Sequence, residues 1–94
     1  MKSKEVIKKI IENKKNIKRY RVKKIGLFGS VLKGKKNPKD IDVLVEFERV
    51  SFDNYMDLLF FLERLFKKKV DLIIESSLRQ ELKYVKKEAK YVRI

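Results

Sequence analysis

The sequence predicts an α/β (α+β) fold, a small mixed β-sheet with helices packed on it. Residues 39–47 and 69–74 alternate apolar and polar side chains with the period of a strand. Between them, residues 52–67 carry apolar side chains at helical spacing. A long helical connection of that kind makes the flanking strands parallel neighbours, joined by a right-handed crossover. The 94 residues leave room for one domain spanning 1–94, and 44% hydrophobic content suffices for one helix layer on a sheet.

The elements follow in order. Val6, Ile7, Ile10, Ile11 and Ile17 form one stripe on a Lys-rich helix from Ser3 to about Lys18, with Ser3 as N-cap. Such a helix covers a core, or lies on a membrane or nucleic acid. Arg21 to Lys24 is a basic turn into a first strand, Ile25 to Phe28. Two glycines, one proline and four lysines make the segment from Gly29 to Lys39 a loop. In the second strand Ile41, Val43, Val45 and Phe47 face the core, and Asp40, Asp42, Leu44 and Glu46 face the other way.

Ser51 caps the helix from Phe52 to Lys67, whose core stripe is Tyr55, Leu58, Leu59, Leu62, Leu65 and Phe66. Met56, Phe60 and Phe61 widen the stripe, so this helix is either central or meets another chain. The sequence leaves a homo-oligomer open. The third strand, Lys69 to Ile74, sets Asp71 on the face of Asp40 and Asp42. Ser77 with Gln80 reads as a capping box for a last helix buried through Leu78, Leu82, Val85 and Ala89. The tail from Lys90 to Ile94 adds an edge strand or docks in a partner.

Charge and missing residue types narrow the chemistry. With 26 basic against 13 acidic residues the net charge is +13, which favours phosphate-rich or acidic partners, unless it is simply a solvated lysine surface. Lysine, glutamate and isoleucine richness also resembles thermophile usage. There is no cysteine and no histidine, so disulfides, thiolate nucleophiles and imidazole bases are excluded, and acid–base or metal chemistry falls to carboxylates. No apolar run is long enough to span a membrane and no signal peptide is legible, so the expected location is the cytoplasm.

The stretch from Ile25 to Val45 concentrates that chemistry. Asp40 and Asp42 stand two residues apart on one strand face and repel each other, with Asp71 adding to the repulsion. Lysine ion pairs or divalent cations offset such a cost. Carboxylates beside triphosphate oxygens suit Mg²⁺, which takes octahedral oxygen ligation. The Gly29-Ser30 step offers backbone amides and a hydroxyl, a geometry that favours phosphate.

A Gly-Ser step, a spaced Gly34 and then Asp-Ile-Asp resemble the signature of the minimal nucleotidyltransferase (MNT) group of the DNA polymerase beta-like nucleotidyltransferase superfamily. The matching residues are Gly29, Ser30, Gly34, Asp40 and Asp42, with Asp71 as third carboxylate. The chain departs from the group's pattern at Leu32-Lys33, where Ala-Arg is common, and at Lys39, where Ser is common. The resemblance implies the nucleotidyltransferase fold and transfer of a nucleoside monophosphate, AMP from ATP, to a hydroxyl of a partner protein. It implies two Mg²⁺ ions held by Asp40, Asp42 and Asp71, with Asp71 helping to remove the acceptor's proton. Gly29, Ser30 and Lys33 would bind the nucleotide; Lys35, Lys36 and Lys39 are solvated charge or touch the triphosphate. Members of the group are often encoded with a HEPN-domain (higher-eukaryote-and-prokaryote nucleotide-binding) toxin, for which they are the antitoxin. Two other functions remain open, an antitoxin acting by contact alone and a small nucleic-acid-binding protein.

Overall fold

The structure, a computed structural model, describes residues 2–29, 40–78 and 84–94. Its centre is the strand β2 (Asp40–Phe47), whose alternation buries Ile41, Val43, Val45 and Phe47 on one face. On one side β2 pairs antiparallel with β1 (Val22–Phe28), and on the other it pairs parallel with β3 (Lys69–Ile74). A fourth strand, β4 (Lys90–Arg93), pairs antiparallel with β1 at the edge, giving a mixed sheet in the order β3-β2-β1-β4. This is the predicted fold class, with the tail resolved as an edge strand.

Helices cover one face. The helix α3 (Phe52–Phe66) links the parallel strands, and its Leu58, Leu62 and Phe66 enter the core. Burial of such side chains contributes about 1.5–3 kcal/mol each. Ser51 caps it as expected, its Oγ accepting the Asn54 N–H at 3.0 Å. At the other end Lys67 takes the left-handed conformation that closes many helices. The Tyr55 hydroxyl of α3 donates to the Leu72 carbonyl at 2.5 Å, tying the helix to β3.

The N-terminal helix differs from the expected single one. It divides into α1 (Ser3–Glu12) and α2 (Lys14–Lys18) at Asn13, whose side-chain amide donates to the Lys9 carbonyl at 2.8 Å and so competes with the helical ladder. Val6, Ile10 and Ile17 are fully buried, but Ile11 is 50% exposed, so the stripe is narrower than expected. Lys2, not Ser3, is the N-cap residue, and no side chain caps the helix.

The first strand begins three residues before the expected Ile25. A bulge between Val22 and Lys24 shifts the alternation by one, placing Val22 on the same face as Ile25 and Leu27. The carbonyl of the bulged Lys23 accepts the N–H of Ile94 at 3.0 Å. Basic residues and broken alternation together made this stretch read as a turn.

The last helix is smaller than predicted among the described residues. It is α4 (Tyr84–Glu88), with no buried residue; Leu78, Val85 and Ala89 are half-buried. Ser77 closes a short 3-10 turn, Glu75–Ser77, and Gln80 and Leu82 lie outside the described residues. No helix among the described residues is long and apolar enough to cross a membrane.

On the face away from the helices α1 to α3, Gly26 of β1 lies under the ring of Tyr91. A Cβ there would stand 2.8 Å from two ring carbons of Tyr91. Gly26→Ala is therefore expected to displace the ring and destabilise the chain by about 1–3 kcal/mol in denaturant unfolding.

Candidate active site

Strand register places the candidate residues. Because pairing is in register, each cross-sheet row of the second face can be read from the partners. Inside the Asp40–Lys69 pair, the first row to span three strands is Asp71 of β3, Asp42 of β2 and Phe28 of β1. The next is Ile73, Leu44, Gly26 and Tyr91, and below it lies Glu46, Lys24 and Arg93. The face thus runs from acidic through apolar to ion-paired.

Asp42 and Asp71 are direct register partners on neighbouring parallel strands, so Asp71 shares the face of Asp42 as the alternation predicts. Asp40 stands two residues before Asp42 on the same face and is paired in register with Lys69. Asp42 is half-buried, and Asp40 and Asp71 are exposed. Among the described residues, no lysine or arginine forms a salt bridge with Asp40 or Asp71. Also among the described residues, no three acidic side chains converge closely enough to hold a metal ion by themselves. The expected three-carboxylate cluster is thus a shared face with two registered members and Asp40 one step beyond.

The end of β1 completes this row. Gly29 turns the chain with φ +72, a conformation that side chains rarely adopt. A Cβ at Gly29 would overlap the Asp42 carboxylate oxygen Oδ2 and come within 2.9 Å of its Cγ. The backbone at Gly29 therefore lies directly against the Asp42 carboxylate, a contact that only glycine permits. Ser30, Lys33, Gly34, Lys35, Lys36 and Lys39 lie outside the described residues.

Sequence reasoning missed the acid that organises the rest of this face. Glu75 follows β3 and is only 9% exposed, paired with Lys86 of α4 at 3.1 Å and Lys24 of β1 at 3.6 Å. Lys24 also bridges Glu46 at 3.5 Å and stands 4.3 Å over the Tyr91 ring. The period-2 continuation 71, 73, 75 was the available signal.

Burial alone would raise the Glu75 carboxyl. The hydrogen bond from Lys86 and the charges of Lys24 and Lys86 outweigh burial and hold Glu75 below its ordinary 4.5. Burial, then the Glu75 charge, push Tyr91 up to about 12. The Tyr91 hydroxyl and Glu75 Oε2 polarise each other, yet neither has a partner of full hydrogen-bond geometry among the described residues. Nearer the acidic row, burial and then the Asp71 charge raise Tyr55 above 10.0.

These shifts fix the expected pH dependence. Glu75, depressed in the folded chain, stabilises it above its unfolded value of 4.5, and that stability is lost as pH falls through the lower folded value. Tyr91, raised, stabilises below its unfolded value of 10.0, and the contribution is lost as pH rises toward about 12. Glu75→Gln should flatten the acid limb and Tyr91→Phe the alkaline limb of melting temperature against pH. Gly29→Ala should cost about 1–2 kcal/mol of stability from its φ alone, with the overlap on Asp42 adding to it; denaturant unfolding measures it.

Known proteins resemble this chain in sequence and in fold. A Thermococcus cleftensis protein named protein adenylyltransferase MntA is 40% identical over 77 residues, covering 79% of this chain and 78% of its own. A solved structure described as a "putative minimal nucleotidyltransferase" superposes with TM-score 0.80 at 27% identity, covering 96% of this chain and 95% of its own. A crystal structure of a toxin–antitoxin with AMP-PNP superposes with TM-score 0.68 at 26% identity, covering 89% of this chain and 69% of its own. The description of the nucleotidyltransferase domain family matches residues 4–94. With that match over nearly its whole length, and with the mixed sheet of minimal nucleotidyltransferases, the chain belongs to the nucleotidyltransferase domain family.

Proposed function

We propose that this chain transfers AMP from ATP to a hydroxyl of a partner protein, and that the partner is a HEPN-type toxin for which it is the antitoxin. The observation that carries this reading is the registered pair Asp42 and Asp71 beneath the Gly29 turn. The relative named protein adenylyltransferase and the toxin–antitoxin structure with AMP-PNP support the nucleotide and the partner class. The working site is the cytoplasm, and the domain is the whole of residues 1–94.

The donor set fits a hard divalent cation, because every available ligand is a carboxylate and two of them are adjacent. Held by Asp40, Asp42 and Asp71, two Mg²⁺ ions would neutralise triphosphate charge and polarise the acceptor oxygen. The remaining work falls to the chain. The acceptor oxygen attacks the α-phosphorus of ATP and forms a new bond there. The bond from that phosphorus to the bridging oxygen breaks, and pyrophosphate leaves. Asp71, exposed at the rim, takes the acceptor's proton as the bond forms. Gly29 lets its amide approach the phosphates, and Ser30 and Lys33 hold the β- and γ-phosphates. The net charge of +13 draws triphosphate toward the site.

Label transfer tests the reading, using ATP labelled in its α-phosphate, Mg²⁺ and a purified HEPN-type toxin. Asp42→Asn is expected to reduce transfer by about a hundredfold or more, and chelation to abolish it. Undiminished transfer by Asp42→Asn would remove the proposed role of the carboxylate row. An Asp40→Asn, Asp42→Asn variant that still protects cells fully would instead make the chain an antitoxin by contact.

A further inference from the structure

The outer side of α3 carries a strip that the core does not use. Asp53, Met56, Asp57, Phe60, Arg64 and Lys67 fall within about 100° of helical rotation. Phe60 is 52% exposed, Met56 is half-buried and the four charged residues are exposed. Asp53 and Asp57, one helical turn apart, repel each other. Among the described residues, Asp53, Asp57 and Arg64 have no ion-pair partner. An open groove beside Phe60 is lined by Tyr20, Asp57, Glu63 and Arg64. Glu63 is already occupied, its carboxylate accepting the Val70 N–H at 3.1 Å.

The charges on this strip are ordered. Its N-terminal half is acidic and its C-terminal half basic, with the phenylalanine between. A strip of that kind is complementary to itself when turned about a two-fold axis. Its two acids and two bases sum to zero on a chain of net charge +13, so two copies can meet there without net repulsion between the strips. We propose that α3 pairs antiparallel with α3 of a second copy of this chain, about an axis near Phe60 and Phe61. Asp57 then faces Arg64 of the partner subunit, and each Phe60 ring enters the groove beside Tyr20 of the other copy. Antiparallel pairing also sets each helix's positive end beside the other's negative end. One helix pair buries less than the roughly 1,000 Å² of a stable interface, so the dimer is weak and dissociates on dilution.

Sedimentation velocity of the whole chain over a concentration series tests this, with circular dichroism confirming that each variant is folded. The wild type is expected to show a monomer–dimer equilibrium. Asp57→Arg and Arg64→Asp should each weaken it about tenfold, and the double variant should restore it to within about threefold, because the reversed pair is again complementary. Phe60→Glu should leave only monomer. A wild type that is monomeric at every concentration, single variants that match it, or a double variant without recovery would overturn the proposal. A chain that stays monomeric while Phe60→Glu loses toxin binding would overturn it too, and would make the strip the toxin's seat. These outcomes are independent of nucleotidyl transfer, since none of the substituted residues lies in the carboxylate row.

Discussion

Everything at the candidate site depends on the contact between the Gly29 backbone and the Asp42 carboxylate. It requires a left-handed residue at the end of β1 and a carboxylate near the start of β2, brought together by antiparallel pairing of Phe28 with Asp42. The Gly29 turn therefore stands beside the Asp42 carboxylate. Parallel pairing on the other side of β2 adds Asp71 to the same row. Three strands, each of ordinary composition, thus converge on one row of side chains.

The rest of that sheet face is closed off by a different device. Gly26 gives up its side chain so that the Tyr91 ring can lie on the sheet, and Leu44 is fully buried on the same face as the acids. Glu75 then joins β3 to β1 through Lys24 and to α4 through Lys86. A buried carboxylate is tolerated there because two lysines compensate it; losing either would leave charge uncompensated at a site water hardly reaches. The face is consequently graded: Leu44 and Gly26 are buried at its middle, while exposed Asp40 and Asp71 at one end and exposed Arg93 at the other meet solvent.

Surplus positive charge and a locally acidic helix serve different ends. A uniform basic surface would suffice to attract triphosphate, and would give no orientation to a protein partner. The acid-to-base gradient along α3, with an exposed aromatic ring at its middle, has direction and therefore specificity. The carboxylate row and the α3 strip lie on opposite layers, since α3 packs on the core face of the sheet and the acids occupy the other. An association through α3 would accordingly leave the carboxylate row uncovered.

By itself the sequence determined what local periodicity and residue chemistry carry. Alternation in 40–47 and 69–74, broken only by Leu44 and Ile73, gave both strands and the common face of Asp42 and Asp71, and the stripe and Ser51 cap gave α3. Absence of histidine and cysteine confined the chemistry to carboxylates. Tertiary structure decided what depends on contacts distant in the chain. The bulge at Lys23 hid the start of β1, and Glu75 became a buried partner only when Lys24 of β1 and Lys86 of α4 arrived beside it. The break at Asn13 is local, a side-chain bond to Lys9 four residues back that an apolar periodicity does not register. Pairing register, too, is invisible to a periodicity of two: alternation says which face a residue occupies, and only the hydrogen-bonded neighbours decide which residue stands opposite it.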